Sequence, residues 1–181
     1  MFNTLSYIGK KLNDAGIKWG VGASILLNMF GFVDKPNDID IFISVEDIEE
    51  ADKILKGIGE KKKWEKNSTY KTKYFYEYVI NGVDVDVMSG FAVNHNEGVF
   101  RYIFDDNSIS EFKLINGVNI PFTSLEDWYV IYQLIPNREI KVEMIEKHIL
   151  TSGIEKPILL ERALDGCLPS DVRRRIKNIL T

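Results

Sequence analysis

The chain has 181 residues, 45% of them apolar and 28% charged, and carries a net charge of −4. That is enough chain for one real core, and the acidic balance gives no reason to expect a nucleic-acid scaffold, which would show a basic footprint. Cys167 is the sole cysteine, so an intramolecular disulfide is excluded, and with only His95 and His148 the composition argues against a zinc site. Met1 to Leu5 lacks the charged start and apolar core of a signal peptide, and no apolar run approaches the roughly 20 residues of a membrane span. The expectation is a cytoplasmic protein that meets no membrane.

Residues 4–14 read as an amphipathic helix, with Leu5, Ile8 and Leu12 at helical spacing and Gly16 as its stop. Ile17 to Val21 reads as a short strand. A helix from Ala23 to Phe30 opens directly out of a Gly22-Ala23-Ser24 turn and ends at Gly31. Asp34-Lys35-Pro36-Asn37 is loop chemistry. Residues 38–44 form the next strand, and Ser44 with Asp47 reads as a capping box for a helix running to about Leu55. Asn81-Gly82 between runs 72–80 and 83–88, and Asn116-Gly117 between 110–115 and 118–122, predict two β-hairpins. Thr123 and Glu126 read as a further capping box, and Pro136-Asn137 breaks the chain before a helix over 138–150. Two short helices follow, the last over 171–180 with Ser170 as its cap. The fold class expected is α+β, a mixed sheet with flanking helices and a short C-terminal helical tail. Residues 1–150 would form the main domain, with 151–181 packed on it.

The chemistry concentrates in Asp38-Ile39-Asp40-Ile41. On an extended backbone both carboxylates point to one face. Two like charges in an apolar strand need a positive partner, and a divalent metal ion is the compact solution. Val83-Asp84-Val85-Asp86-Val87 repeats the acidic alternation on a separate hairpin. Two-metal phosphoryl transfer needs a third carboxylate from an adjacent strand, which Asp84 or Asp86 can supply. A half-exposed strand also alternates in this way, so Val-Asp-Val-Asp-Val alone does not decide the matter.

Trp19-Gly20-Val21-Gly22-Ala23-Ser24 followed by Asp38-Ile39-Asp40-Ile41 resembles the signature of the DNA-polymerase-β-like minimal nucleotidyltransferase superfamily. Gly82 to Met88 resembles the strand that bears its third carboxylate, and Ile120 to Asp127 the Pro-x-x-Ser-x-Glu-Asp stretch of its small bacterial members. The resemblance covers about residues 15–150. It implies that Asp38, Asp40 and Asp86 are catalytic and hold Mg²⁺, in a two-ion site, with Asp86 preferred over Asp84. It further implies that Gly22, Ala23, Ser24 and Arg138 contact a nucleoside triphosphate. The expected partners are that triphosphate and a small-molecule or protein acceptor, with nucleic acid disfavoured and a homodimer allowed. Two departures stand out: Ala23 replaces a glycine, and Arg138-Glu139-Ile140-Lys141-Val142 lacks the family's Asp. They motivate the alternative of a weak or inactive member serving as a nucleotide-binding or toxin–antitoxin module.

A rival reading is dinucleotide binding, since Gly20-x-Gly22 follows a strand and precedes an acid by about 20 positions. Ile25 occupies the third glycine's place, however, and Asp38 and Asp40 begin their strand rather than close one. The remaining features read as structure. Lys61 to Lys63 and Arg173 to Arg175 are expected to be solvated faces, and Cys167 a small core residue. The aromatic cluster Tyr70, Tyr74, Phe75, Tyr76 and Tyr78 suits strand packing better than an acceptor pocket. Trp128, Tyr129 and Tyr132, at helical spacing, suit the core or a protein contact.

Overall fold

A computed structural model describes residues 1–63 and 69–181. Its centre is a seven-stranded mixed sheet built from β1 (Trp19–Val21), β2 (Ile39–Ile43), β3 (Glu60–Lys61), β4 (Tyr74–Ile80), β5 (Val83–Ser89), β8 (Ile109–Ile115) and β9 (Val118–Thr123). The spatial order is β3-β4-β5-β2-β1-β9-β8. β2 runs parallel to β5, and β1 parallel to β9, while the other neighbours are antiparallel. Antiparallel pairing of β1 with β2 overturns the dinucleotide reading, which requires a parallel βαβ unit there. Both Asn-Gly hairpins form, because Asn81, Gly82, Asn116 and Gly117 all take the positive φ that a type I′ turn demands.

The helices are α1 (Phe2–Asp14), α2 (Ala23–Met29), α3 (Ile48–Lys56), α4 (Leu125–Leu134), α5 (Glu139–Ser152), α6 (Pro157–Asp165) and α7 (Ser170–Leu180). Leu5, Ile8 and Leu12 of α1 are buried as their spacing requires. Leu160, Ala163, Val172 and Ile176 from α6 and α7 join the same hydrophobic cluster as the sheet, so the last two helices add to that core. A second hairpin sheet, β6 (Ala92–His95) with β7 (Gly98–Arg101), was not legible as strands. Among the described residues no helix is long and apolar enough to cross a membrane.

Several local expectations are corrected. Ser44 and Asp47 do bond each other, at 2.7 and 3.2 Å, but in a turn that precedes α3, and Asp47 also accepts the Lys18 N–H. Ser124, not Thr123, caps α4 by accepting the Asp127 N–H at 3.2 Å. Glu126 instead caps the chain's approach to α6, where one of its oxygens accepts the N–H groups of Glu155 and Lys156, both at 2.9 Å. Ser170 donates to Glu97 rather than capping α7. Cys167 is exposed, with its sulfur against Gly98 of β7, where no side chain would fit. In the basic runs Lys62, Lys63 and Arg174 are exposed as expected, while Lys61, Arg173 and Arg175 are partly buried and held by neighbours. Lys61 lies 3.2 Å over the Tyr76 ring and bonds Asp52, Lys62 bonds Asp84, Arg173 bonds the carbonyls closing α6, and Arg175 holds Glu146.

Glu126 is 3% exposed, so removing its carboxylate strands two backbone donors. Glu126→Ala is expected to lower stability by about 2–3 kcal/mol in urea unfolding. A loss near zero would show that α6 docks without this cap.

Candidate active site

The parallel register of β2 on β5 places Asp40 directly opposite Asp86. Directly paired residues share a face, so the two carboxylates come from distant sequence to one side of the sheet. Glu77 of β4 pairs Asp86 from the other flank, a third acid in the row that sequence reasoning missed. Asp38 immediately precedes β2 and is tied to the α2 turn, since the Ser24 hydroxyl lies 3.4 Å from both the Asp38 carbonyl and its Oδ1. Asp84 shares that face but lies before the first β2–β5 pair, Ile39 with Val85, and its side chain is 65% exposed and bonds Lys62 at 2.6 Å. Of the two, Asp86 lines the cavity described next and Asp84 does not.

A cavity of about 210 Å³ opens over these groups, lined by Ala23, Ser24, Asn37, Asp38, Asp40, Asp86, Tyr132, Arg138 and Lys141, with Tyr70 and Phe75 on its rim. Four of the turn and cation expectations can be placed. Ala23, Ser24 and Arg138 line the cavity, whereas Gly22 does not. A Cβ on Gly22 would sit 2.2 Å from the Trp128 Nε1, which donates to the Thr123 hydroxyl at 2.9 Å. Gly22 is therefore required for close packing of the turn on α4. Ala23 holds φ at +47°, a left-handed conformation that a Cβ disfavours by roughly 1–2 kcal/mol. The residue that stands where a glycine was expected thus sits in the backbone region that glycine favours.

Sequence reading also missed Lys141 and underrated Tyr132 and the aromatic pair. Lys141 stands one helical turn after Arg138 on α5, so both cations reach one face. The Tyr132 ring packs 5.1 Å from Trp128 and 4.9 Å from the Lys141 Nζ. Its hydroxyl is buried and has no hydrogen-bond partner among the described residues. A larger cavity, about 520 Å³, lies on the far side of Tyr132 between α4, α5 and α7. Volume alone would favour it, but it lacks the carboxylate cluster.

The charges in the smaller cavity are out of balance. Burial, then Asp38 and Asp86, push the Asp40 carboxyl well above the usual range. Burial first, with Asp38 and Glu77 beside it, pushes Asp86 up to about 7. Burial and the adjacent Arg138 lower the Lys141 ammonium. Crowded carboxylates of this kind form an all-oxygen donor set, which matches Mg²⁺ in chemistry. Among the described residues, though, no three His, Cys, Asp or Glu side chains are arranged to hold a metal as they stand.

A family model described as a nucleotidyl transferase of unknown function matches residues 1–155. The chain belongs to this nucleotidyl transferase family. No curated protein matches the chain in a sequence search. Among solved structures, the fold is similar to a candidate nucleotidyltransferase from Thermotoga maritima, with a TM-score of 0.62, 24% identity, and 82% of this chain and 92% of that one covered. It is also similar to ANT(2'')-Ia in complex with adenylyl-2''-tobramycin (TM-score 0.58, 14% identity, 99% and 98% covered). A third is the lincosamide antibiotic adenylyltransferase LnuA, lincomycin-bound (TM-score 0.54, 13% identity, 80% and 95% covered). At these identities the structural likeness establishes the nucleotidyltransferase-type fold.

The raised Asp86 carboxyl has a consequence for stability. Below the free-aspartate value of about 3.9 it is protonated folded or unfolded and contributes nothing. Between about 4 and 7 the unfolded chain ionises first, so folding loses free energy as pH rises, and the penalty is complete above 7. Without divalent metal, Asp86→Asn is expected to raise Tm at pH 8 and leave it unchanged at pH 4. Equal shifts at both pH values in thermal unfolding would contradict this origin.

Proposed function

We propose that this nucleotidyl transferase moves a nucleoside monophosphate from a nucleoside triphosphate to a hydroxyl of a small molecule or protein, releasing pyrophosphate, in a Mg²⁺-dependent reaction. The observation that carries the reading is the convergence of Asp38, Asp40 and Asp86 with Ser24, Arg138 and Lys141 around one cavity. In this reading Asp38, Asp40 and Asp86 hold Mg²⁺. When bound, the metal neutralises phosphate charge and polarises the α-phosphorus. A divalent ion bound with the triphosphate would complete its ligand set with phosphate oxygens.

Ser24 and the backbone at Ala23 bind phosphate oxygens, while Arg138 and Lys141 balance the charge of the departing pyrophosphate. Asp86 takes the proton of the attacking hydroxyl as the new oxygen–phosphorus bond forms and the bond to the β-phosphate bridge breaks. The buried Tyr132 hydroxyl gains a partner by donating to a substrate oxygen, which removes the cost of leaving it unpaired. The neighbours LnuA, lincomycin-bound, and ANT(2'')-Ia, with adenylyl-2''-tobramycin, support a small-molecule acceptor.

The test is pyrophosphate release from ATP, CTP, GTP and UTP with Mg²⁺ across a panel of hydroxylated small molecules and candidate proteins. Turnover is expected with one triphosphate, falling at least about 100-fold in Asp38→Asn, Asp40→Asn and Asp86→Asn. Tyr132→Phe is expected to fold normally and to weaken substrate binding about tenfold. Turnover that survives all three carboxylate variants would overturn the assignment.

A further inference from the structure

The two edges of the main sheet are unequal. β3 is only two residues long and offers little to a neighbour. β8, at the opposite edge, runs for seven residues and carries Phe112 and Leu114, which are 67% and 71% exposed. An exposed edge with apolar side chains is a template for pairing with another strand.

The hairpin turn fixes which backbone groups are free. Ile115 and Val118 flank the two-residue Asn116-Gly117 turn and so form a hydrogen-bonded pair. Alternation then makes Lys113 with Ile120 and Glu111 with Phe122 bonded pairs, and turns the N–H and C=O groups of Leu114 and Phe112 outward. Phe112 lies opposite Pro121, which has no N–H to offer, as this phase requires.

The geometry points to a second copy of this chain as the occupant of the β8 edge, paired antiparallel about a two-fold axis at Phe112. This register sets Phe112 against its symmetry mate and places Glu111 of each copy opposite Lys113 of the other. Within one chain these two side chains already sit 3.1 Å apart, so the dimer would close them into an alternating square of four charges. Registers that keep the same outward phase but shift the axis lose this Glu111–Lys113 pairing. Centring on Lys113 opposes two lysines, and centring on Glu111 opposes two glutamates, both destabilising. Of the registers this backbone phase permits, the one centred on Phe112 pairs Glu111 with Lys113 of the other copy. An isologous contact of this kind closes on itself, so it yields a dimer rather than a filament, with one sheet continuous across both copies. The inference does not depend on the reaction proposed above, because β8 lies at the far edge from β5.

Sedimentation velocity on the full chain tests it through charge reversal. Wild type is expected to dimerise reversibly with concentration. Glu111→Lys and Lys113→Glu, each confirmed folded by its thermal transition, are expected to weaken the dimer about tenfold through two repulsive pairs. Mixing the two variants restores complementary pairs, so a heterodimer with the wild-type sedimentation coefficient is expected. A monomeric wild type, single variants that dimerise like wild type, or a mixture that stays monomeric would each overturn the inference.

Discussion

The reaction proposed for this chain depends on the parallel pairing of β2 with β5, which seats Asp40 opposite Asp86 inside a folded sheet. Two carboxylates held face to face repel each other and lose solvation, and the raised positions of both express that conflict. A sheet whose only task was stability would gain by removing one of them. Retaining both, with Asp38 beside them and Glu77 in the next strand, is a cost that a cation and a triphosphate can offset.

The surrounding structure is organised to hold that arrangement. Gly22 lets the β1–α2 turn pass against Trp128, and Thr123 links the two by accepting from the indole and donating to the Val21 carbonyl at 3.1 Å. The turn that presents Ser24 is thereby fixed to α4, which also carries Tyr132. Glu126, two residues before Trp128, binds the backbone ahead of α6 and so anchors the C-terminal helices to the same element. A single helix thus connects the carboxylate pocket, the turn and the C-terminal segment.

Much of this was legible in the sequence because it is local. The Asn-Gly turns, the α1 periodicity and the acidic alternations each depend on neighbouring residues, and they appear where expected. What escaped depends on long-range placement. Asp86 could be preferred over Asp84 only by resemblance, because the two share a strand face and only the long-range register of β5 on β2 sets which one meets Asp40. Lys141 was passed over in a motif already judged incomplete, although its spacing from Arg138 puts both on one helical face. Thr123 and Glu126 have the right types for a capping box, but tertiary partners drew each of them away. Cys167 has a core residue's chemistry, yet it sits in an exposed connection where only Gly98 makes room for it.

The central claim is that the carboxylate cluster exists to receive a metal-bound triphosphate. Calorimetric titration of a non-hydrolysable nucleoside triphosphate, with Mg²⁺ and then with EDTA, tests it without any knowledge of the acceptor. The account predicts binding that requires Mg²⁺ and is lost in Asp40→Asn. Binding of equal strength in EDTA, or no binding of any triphosphate by the wild-type chain, would contradict it.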